Sequence, residues 1–452
     1  MTFTFRAALL AAAGVLVVAF AVPSRAGIAL VTGAVVLLAL VDVALAGAVR
    51  PLTFRREVTG DAAVRTGAGG SGSAGPVSSV SGVRLGEQTQ ICLLVTNPGR
   101  RPVRGVVRDA WPPSAGAATQ RHPLQLSAGE RRRVTTTLRP TRRGDKHAHR
   151  VTVRSLGPLG LAGRQGSHEV PWTVRALPAF ESRKHLPSRL ARLRELDGRA
   201  SVLVRGQGTE FDSLRDYVVG DDVRSVDWRA TARRGGVVVR TWRPERDRHV
   251  LVVLDTGRTS AGRVGDAPRL DHAMDAAQLL AALATRAGDR VDLLAYDRTV
   301  RADVRRAAPR EVLQRFTAAM APLSSELVEA DHRGLAAAIT LRATQRSLVV
   351  LLTGLDAAVV EEGWLPVLGA LTRRHEVLLA AVADPKVAEL ARGRADAREV
   401  YAAAAAEQAN AERRQVTATL ERLGVTVVDR PPEEIAPALA DTYLALKKTG
   451  RL

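Results

Sequence analysis

Two apolar stretches near the N-terminus constrain this chain more than any other feature. Residues 7–22 and 27–49 are nearly continuous apolar runs, separated by a short segment that contains Pro23 and Arg25. A helix needs about 20 residues to cross the roughly 30 Å hydrocarbon core of a bilayer. The second run is long enough, and the first is shorter unless Phe3 and Phe5 contribute. The sequence therefore predicts two transmembrane helices within residues 1–50.

The first run also fits a cleaved signal peptide. Arg6 stands before it, and residues 19–21 have the small-residue pattern of a cleavage site. Both interpretations place the rest of the chain on the same side of the membrane. In a helical hairpin, the first helix crosses the membrane and the second crosses back. A signal peptide also crosses the membrane first, and the second run then returns the chain to the same side.

The distribution of arginines predicts which side that is. Arg50, Arg55 and Arg56 follow the second run, whereas Arg25 lies alone between the two runs. Positive residues favour the cytoplasmic side of a span. We therefore expect a protein of the bacterial cytoplasmic (inner) membrane, with its soluble domains facing the cytoplasm. Asp42 lies inside the second run, where a carboxylate usually pairs with a neighbouring helix or marks an assembly contact.

Composition excludes several classes of protein. The chain has 452 residues, a net charge of +20 and one cysteine, Cys92. One cysteine permits neither an internal disulfide nor a cysteine metal cluster. The positive charge suits anionic lipid headgroups or reflects an arginine-rich composition. Binding to nucleic acid is disfavoured, because no zinc finger, RNP-type motif or basic run with aromatic residues is present.

Short β-like segments broken by turn residues fill the region after the apolar runs. A flexible Gly/Ser-rich stretch at 67–82 precedes most of them. Their regular spacing predicts a small antiparallel β-sandwich over residues 51–178. Residues 179–245 then hold a connecting helix and a dense motif. The helix has leucines at helical spacing and, being basic, is also a candidate to lie along the bilayer; the leucines are Leu186, Leu190, Leu193 and Leu196.

The dense motif alternates acidic and basic residues. The spacing of Phe211, Leu214 and Val218 favours one face of a helix, with Gly220 in a turn. The acids suit either catalysis with a divalent ion or ion pairs that shape a docking surface. An arginine stands within a few residues of every acid, which favours docking. The candidate interaction residues are Glu210, Arg215, Tyr217, Gly220, Asp221, Asp222, Arg224, Asp227, Trp228 and Arg229.

This motif resembles the signature of a bacterial family, the domain of unknown function 58. The signature runs Gly-Thr-Glu-Phe, Leu-Arg-x-Tyr, Gly-Asp-Asp and Asp-Trp-(Arg/Lys), and residues 208–242 contain each part in order. The wider arrangement of two spans, a β-rich region, the signature and an α/β region is also similar. The resemblance implies a membrane-associated partner of MoxR-type AAA ATPases with a chaperone-like or assembly role.

Buried strands alternate with helices over residues 246–452. This pattern predicts an α/β domain whose mostly parallel sheet is covered on both faces. The first strand ends at Asp255, and ligands in such folds lie beyond the carboxyl ends of the strands. The fold class predicted for the whole chain is thus multidomain: two transmembrane helices, a small β-sandwich and this α/β domain.

The residues after Asp255 resemble the metal-ion adhesion loop of von Willebrand factor A domains. That loop reads Asp-x-Ser-x-Ser, and its hard oxygen ligands suit Mg²⁺. Here Gly257 replaces the first serine, and Thr259 still offers a hydroxyl. Thr353-Gly354 stands where a Thr-Asp pair is usual, so the aspartate of that pair is missing. Asp331 and Asp356 are the candidates to replace it. The candidate metal ligands are therefore Asp255 and Thr259, in a degenerate site.

Three functions remain open from the sequence. The leading one is a non-enzymatic, membrane-anchored adaptor or assembly factor that docks a MoxR-type AAA ATPase or a client protein. The alternative is a metal-dependent hydrolase that uses Asp255 and the carboxylates between 210 and 227. A nucleic-acid binder driven by charge alone is the weakest. No P-loop, dinucleotide fingerprint or nucleophile elbow is present, so no catalytic or cofactor-binding residue is assigned.

Overall fold

The computed structural model describes residues 2–59, 64–65, 80–203, 210–243 and 248–451. The chain divides into two compact units, Met1–Leu177 and Pro178–Leu452. The N-terminal unit therefore includes both the apolar runs and the β-rich region, and each unit has its own buried core.

Among the described residues, the N-terminal unit contains two helices and ten strands. Its elements are β1 (Thr2–Phe3), α1 (Phe5–Phe20), α2 (Arg25–Leu45), β2 (Thr53–Thr59), β3 (Val64–Arg65), β4 (Val80–Arg84), β5 (Thr89–Thr96), β6 (Val103–Asp109), β7 (Arg121–Leu126), β8 (Arg131–Leu138), β9 (Gly144–Leu156) and β10 (Ala162–Leu177). A 3-10 turn, Pro113–Ala115, precedes β7.

The strands form two sheets that enclose an aliphatic core. The larger has the order β3-β4-β10-β9-β6-β7, with β1 on β10, and the smaller has the order β2-β5-β8. Leu93 and Val95 of the small sheet pack with Val107 and Val153 of the large one. All pairings are antiparallel except that of β4 with β10. The predicted antiparallel β-sandwich is therefore confirmed in architecture.

Helices α1 and α2 are apolar and pack against each other. By length and composition α2 is the one helix among the described residues that qualifies to cross a membrane, and α1 is apolar but shorter. Many large apolar side chains on both helices remain exposed, among them Leu16, Phe20, Leu30 and Leu37. Exposure of this kind is what a lipid-facing surface shows and a water-facing surface avoids.

Asp42 fastens the end of α2 to the β-sandwich. Its side chain is fully buried, although it stands in an apolar helix. Its carboxylate accepts backbone N–H groups from Leu159 at 2.8 Å, Leu161 at 2.7 Å and Ala162 at 2.9 Å. These residues form the turn between β9 and β10, and a Cβ at Gly157 of that turn would collide with the Asp42 carboxylate. The expected carboxylate partner is thus a β-turn rather than another helix.

The start of α1 is fastened to the same turn. Thr2 and Phe3 pair with Gly163 and Ala162 as the short strand β1. The hydroxyl of Thr4 donates to the carbonyl oxygen of Gly160 at 2.6 Å. The N-terminal end of α1 and the C-terminal end of α2 therefore meet at the β9–β10 turn. Ser24, which caps the N-terminus of α2, lies at the opposite end of the helix pair.

The C-terminal unit alternates helices and strands. Its elements are α3 (Leu186–Leu203), β11 (Glu210–Asp216), α4 (Trp228–Arg234), β12 (Val238–Arg243), β13 (His249–Asp255), α5 (Arg258–Ala261), β14 (Arg263–Val264), β15 (Ala267–Pro268), α6 (Arg269–Arg286), β16 (Arg290–Tyr296), β17 (Val300–Val304), α7 (Val312–Met320), α8 (His332–Arg342), β18 (Leu348–Leu352), α9 (Leu365–Thr372), β19 (Glu376–Val382), α10 (Pro385–Leu390), α11 (Ala397–Arg422), β20 (Val425–Arg430) and α12 (Pro432–Lys448). Glu181–His185 and Val223–Ser225 are 3-10 turns, and Val359–Trp364 is a π-helical turn that leads into α9.

One six-stranded sheet organises this unit, in the order β17-β16-β13-β18-β19-β20. Five strands are parallel, and the edge strand β17 is antiparallel. Helices α6, α7 and α12 pack on one face, and α8, α9 and α11 on the other. Every residue of β13 is buried, as expected for a central strand covered on both faces.

The predicted connecting helix is present as α3 and packs on this unit. Leu193 is buried in the core that α6 and α12 build, and the three other leucines of its stripe pack partly buried against the same core. Arg189 also forms an ion pair with Asp441 of α12 at 2.9 Å. The leucine face is thus covered by protein, which argues against its insertion into a bilayer surface.

Substitution of Asp42 tests the attachment of α2. Asp42→Ala leaves three N–H groups of the β9–β10 turn without their acceptor. Because an unsatisfied buried donor costs about 1–3 kcal/mol, we expect the free energy of unfolding of the N-terminal unit to fall by roughly 3 kcal/mol or more. Denaturant unfolding of the detergent-solubilised chain, followed by hydrogen exchange of the β9 and β10 amides, measures it.

Glu130→Ala is the matched control. Glu130 is exposed and also accepts a backbone N–H, from Ser127 at 2.7 Å. We expect its substitution to change the stability by less than about 0.5 kcal/mol. Equal effects of the two substitutions would show that the Asp42 contact does not hold α2 on the sandwich.

Candidate functional site: a signature module and a buried carboxylate

Residues 210–243, here named the signature module, form a strand–helix–strand unit. Strands β11 and β12 pair antiparallel, with a register shift between Phe211 and Ser213. The helical face predicted over Phe211, Leu214 and Val218 is therefore wrong, because cross-strand pairing with β12 outweighs the local helical spacing. Gly220 adopts φ of +112°, which a residue with a side chain rarely tolerates, so the predicted turn there is correct.

Asp221 holds the tip of the module together. Its carboxylate binds Arg215 through two N–H···O contacts of 2.8 and 2.5 Å, and it accepts the Val218 N–H at 2.9 Å. The hydrogen bond from Arg215, supported by that from Val218, holds the pKa of Asp221 below its usual range. A carboxylate fixed by these partners shapes the loop and has little freedom to bind a metal or move a proton.

Asp227 and Asp222 cap the short helical segments of the module. Asp227 accepts the Arg229 and Ala230 N–H groups at 3.0 Å each, and Arg240 binds its other oxygen at 2.7 Å. The backbone hydrogen bond from Ala230, followed by the bond from Arg240, lowers the pKa of Asp227. Asp222 accepts the Arg224 N–H at 3.0 Å. Asp221, Asp222 and Asp227 are thus structural partners, while the side chain of Glu210 lies outside the described part of the chain.

The module leaves large apolar side chains in solvent. Val219 is 94% exposed and Trp228 is 67% exposed. We name the exposed apolar set as these two residues with Tyr217, Val218 and Val223. Exposed arginines accompany the set, namely Arg224, Arg229, Arg233 and Arg234. Within the described residues no ion pair engages these four arginines, so the module presents guanidinium groups beside its apolar side chains, together with the exposed carboxylates of Asp216 and Asp222.

A buried carboxylate lies at the carboxyl edge of the parallel sheet. Asp255 ends β13, and its carboxylate accepts the Gly257 N–H at 2.7 Å and the Thr259 hydroxyl at 2.7 Å. The hydroxyl of Thr353, just after β18, donates to the same oxygen as Thr259 at 2.6 Å. Among the described residues no arginine, lysine or histidine forms an ion pair with Asp255. The carboxylate is therefore held by hydroxyl and backbone donors alone.

The other predicted acids take different places. Asp331 caps α8 by accepting the Gly334 N–H at 3.0 Å. Asp356 lies near Thr259, because a Cβ built on Gly354 would meet Asp356 Oδ2 at 2.8 Å and the Thr259 Cβ at 3.1 Å. Asp356 is thus a candidate to support the Asp255 site.

The donor set fits a hard cation such as Mg²⁺ better than a soft one. Hydroxyl oxygens of Thr259 and Thr353 lie within 2.7 Å of one Asp255 oxygen, and such oxygens can turn their lone pairs toward an ion. No group of three or more His, Cys, Asp or Glu side chains within the described ranges has the geometry of a metal site. A bound cation would therefore rely on Asp255, the two threonine hydroxyls, Asp356 and water.

Two residues near this site were not among the predicted ligands, although the sequence placed Thr353 where a Thr-Asp pair is usual. Thr353 donates its hydroxyl to the Asp255 carboxylate. Asp297, just after β16, accepts the Thr256 hydroxyl at 3.1 Å, and its Oδ2 lies 3.5 Å from Arg301 Nε. Both residues follow strands that flank β13 in the sheet. The sequence does not reveal this strand order, so it could not place the two residues beside Asp255. His332 begins α8, and its ring packs edge-to-face against Trp364. Burial lowers the pKa of this imidazole, and the nearby Asp255 carboxylate partly opposes that shift.

A second buried polar group lies at the opposite edge of the sheet. The His249 imidazole contacts Ser347 Oγ at 3.0 Å and Asp292 Oδ2 at 2.9 Å. The Ser347 hydroxyl also donates to the Gln345 carbonyl oxygen at 2.8 Å. All three side chains are buried, so a substrate has no access to the hydroxyl. The group ties together the first residues of neighbouring strands and is not a nucleophile–base pair.

Residues 213–424 match a family model described as "Protein of unknown function DUF58". This segment is just under half of the chain and contains most of the signature module and the sheet up to α11. The resemblance predicted from the motif is confirmed at this level. The matched family carries no assigned function.

Curated relatives are similar over shorter segments. Uncharacterized protein Rv1480 of Mycobacterium tuberculosis is 27% identical over 190 residues, which cover 42% of this chain and 59% of that protein. Uncharacterized protein Mb1516 of Mycobacterium bovis gives the same values. Uncharacterized protein YeaD of Bacillus subtilis is 25% identical over 113 residues, or 25% of this chain and 28% of that protein. The chain spans less than two thirds of the length of these relatives.

Solved structures resemble only parts of the chain. A PapD-like domain of human CEP192 covers 22% of the chain at 14% identity with a TM-score of 0.17. Trypsin-activated alpha-2-macroglobulin from Escherichia coli covers 39% at 11% identity with a TM-score of 0.20. Scores this low carry no argument about fold or function.

Substitution of Thr353 tests the Asp255 site. Thr353→Val keeps the shape of the side chain and removes one hydroxyl donor from a buried carboxylate. We expect the free energy of unfolding of the C-terminal unit to fall by about 1–3 kcal/mol. Hydrogen exchange of the β13 amides under increasing denaturant measures this unit separately from the sandwich.

Thr340→Val is the control for this substitution. Thr340 is exposed on α8, and its hydroxyl donates to the Ala336 carbonyl oxygen of the same helix. We expect a change within about 0.5 kcal/mol, because no buried group loses its partner. A Thr353→Val chain as stable as the Thr340→Val chain would remove Thr353 from the site.

Proposed function

We propose that this protein is a membrane-anchored, non-enzymatic adaptor or assembly factor. In this proposal α1 and α2 lie in the bacterial cytoplasmic membrane, and both units face the cytoplasm. The signature module docks a MoxR-type AAA ATPase or a client protein. The ATPase as partner comes from the family resemblance of the motif, and the surface chemistry of the module supports a protein partner.

The exposed apolar set is the observation that carries the proposal. A tryptophan and three valines in solvent are costly for a free surface and typical of the centre of a protein interface. Trp228 is the strongest anchor in the set, because tryptophan and arginine dominate binding energy at interfaces. The carboxylates of the module are already bound to arginines and backbone N–H groups. The contact residues are therefore the apolar set and its arginines rather than Asp221 or Asp222.

The charge of the module indicates the chemistry of the partner. Arg224, Arg229, Arg233 and Arg234 present planar donors that suit carboxylates, so the complementary surface carries Asp or Glu side chains beside an apolar pocket. Opposite charge steers such partners together and makes the association rate fall with salt. Electrostatic steering also suits a partner that docks and leaves during a nucleotide cycle.

The α/β unit supplies a second binding surface in this proposal. A parallel sheet with Asp255 at its carboxyl edge supports a von Willebrand factor A-like domain, with a degenerate site for Mg²⁺ that uses Asp255, Thr259 and Thr353. A cation there would leave a coordination position for an acidic side chain of a partner. The competing proposal, a metal-dependent hydrolase, loses support because Asp221 and Asp227 are engaged within their own module.

Substitution of Trp228 tests the docking surface. We expect Trp228→Ala to reduce recovery of an AAA ATPase from solubilised membranes at least tenfold, because loss of an interface anchor of this kind costs roughly 2 kcal/mol or more. The measurement is quantitative mass spectrometry of proteins that co-purify with the tagged full-length chain.

Tyr401→Ala is the matched control, since Tyr401 is an aromatic residue on α11 with 79% exposure. We expect this variant to recover the ATPase as the unchanged chain does. Undiminished recovery by Trp228→Ala would contradict docking through the module. Absence of any AAA ATPase from the unchanged chain, with ATP or without, would contradict the proposed partner.

A further inference from the structure

The two apolar helices meet the β-sandwich at a junction that is rich in arginine. Four chain segments build this junction, residues 2–8, 43–56, 97–108 and 157–168. They are brought together by the Thr4 and Asp42 contacts, and by the approach of Gly47 to Pro102 and of Gly166 to Val49. These four segments contain no Asp or Glu and nine arginines: Arg6, Arg50, Arg55, Arg56, Arg100, Arg101, Arg104, Arg108 and Arg164.

Four acids flank these segments directly, namely Asp42, Glu57, Asp109 and Glu169, so positive charge outweighs negative charge at the junction without being unopposed. Asp42 is adjacent in sequence, but its carboxylate is buried and fully used by three backbone N–H groups. Two of the arginines are exceptions: Arg56 is buried in the sandwich and paired with Asp109, and Arg55 pairs with Glu57 at 3.5 Å. The other arginines of the four segments are exposed.

Three of these arginines lie beside the helix ends. The guanidinium of Arg101 donates to the Ala44 carbonyl oxygen, and Arg164 Nε donates to the Val43 carbonyl oxygen at 3.1 Å. Both carbonyls belong to the last turn of α2. Arg6 begins α1, and its guanidinium lies near Gly160, since a Cβ built there would meet it at 3.2 Å. The three guanidinium groups thus lie where the N-terminal end of α1 and the C-terminal end of α2 meet the sandwich.

Each guanidinium keeps donors for a further ligand. Arginine carries five N–H donors, and the contacts with Val43 and Ala44 use one nitrogen of each side chain. A positively charged guanidinium with free N–H donors attracts the negatively charged oxygens of a phosphate. If α1 and α2 lie in a bilayer, this end of the helix pair coincides with the phosphates of the lipid headgroups.

We propose that Arg6, Arg101 and Arg164 form a binding site for the phosphate of anionic phospholipid headgroups. This inference rests on the membrane anchoring in the proposed function and adds a lipid to it. Each arginine near a negatively charged membrane surface is expected to contribute roughly fivefold to lipid affinity.

Lipid titration of the full chain tests the site. The detergent-solubilised, delipidated protein is titrated with phosphatidylglycerol, with phosphatidylcholine or with glycerol 3-phosphate, and bound lipid is counted by native mass spectrometry. We expect phosphatidylglycerol to bind about 100-fold more tightly than phosphatidylcholine, because each of the three arginines contributes roughly fivefold. Retained preference in the presence of excess glycerol 3-phosphate assigns the site to the lipid, whereas full competition by glycerol 3-phosphate overturns a lipid site in favour of a free phosphate site.

Variants distinguish binding from helix capping. We expect the double variant Arg101→Gln, Arg164→Gln to lose the preference for phosphatidylglycerol about 25-fold, and the double variant Arg101→Lys, Arg164→Lys to keep most of it, because charge rather than capping geometry attracts the lipid. Arg132→Gln is the control: Arg132 is an exposed arginine on β8 that also donates to a carbonyl oxygen, that of Gln125.

Several results would overturn the inference. These are equal binding of the two lipids, an unchanged preference in the glutamine double variant, or an equal loss in Arg132→Gln. A chain that fractionates with the membrane but shows no lipid preference defeats this inference alone. A chain that is released from membranes by carbonate defeats the anchoring on which it rests.

Discussion

The hydrogen bonds between the Asp42 carboxylate and the β9–β10 turn determine how the apolar helices relate to the sandwich. A carboxylate buried at the end of α2 is stable only because three N–H groups converge on it. The same turn receives the first strand of the chain and the Thr4 hydroxyl. The helix pair is therefore a rigid extension of the sandwich and not a tether on a flexible linker.

This junction also bears on the two interpretations of the first apolar run. Residues 2–4 add a strand to β10, and α1 packs along α2. A cleaved signal peptide would take these contacts away and leave the edge of β10 and one side of α2 uncovered. The contacts favour a retained α1, and with it a helical hairpin whose two ends lie at the sandwich and whose turn lies at Ser24.

Sequence patterns predicted the architecture better than they predicted the site. Strands β13 and β18 are fully buried and are therefore continuous apolar runs in the sequence. The leucines of α3 recur at helical spacing, so this helix can also be predicted from local sequence. The helix predicted around Leu214 is a strand instead, because its pairing partner β12 lies more than twenty residues further on. Periodicity within one segment carries no information about such a partner.

The candidate sites show the same division. Asp255 was predicted because it ends a buried strand, whereas Thr353 reaches it only through the neighbouring position of β18 in the sheet. The acids of the signature module were predicted as contact residues, and most turned out to shape its turns. Trp228 and Val219 gained importance instead, because exposure of an apolar side chain is a property of the folded module. Only three-dimensional packing separates the acids that build a loop from the residues that it presents.

The orientation of the helix pair in the membrane is the central claim of the proposed function. Cys92 is the single cysteine of the chain and is buried, so a Cys92→Ser background allows one new cysteine to be labelled at a time. Ser24→Cys places the probe at the turn between α1 and α2, and Ala128→Cys places it at an exposed position of the sandwich. In intact spheroplasts, a membrane-impermeant maleimide should label Ser24→Cys and should label Ala128→Cys only after permeabilisation. Labelling of Ala128→Cys without permeabilisation would place the sandwich outside the cytoplasm and would contradict an adaptor that serves a cytoplasmic ATPase.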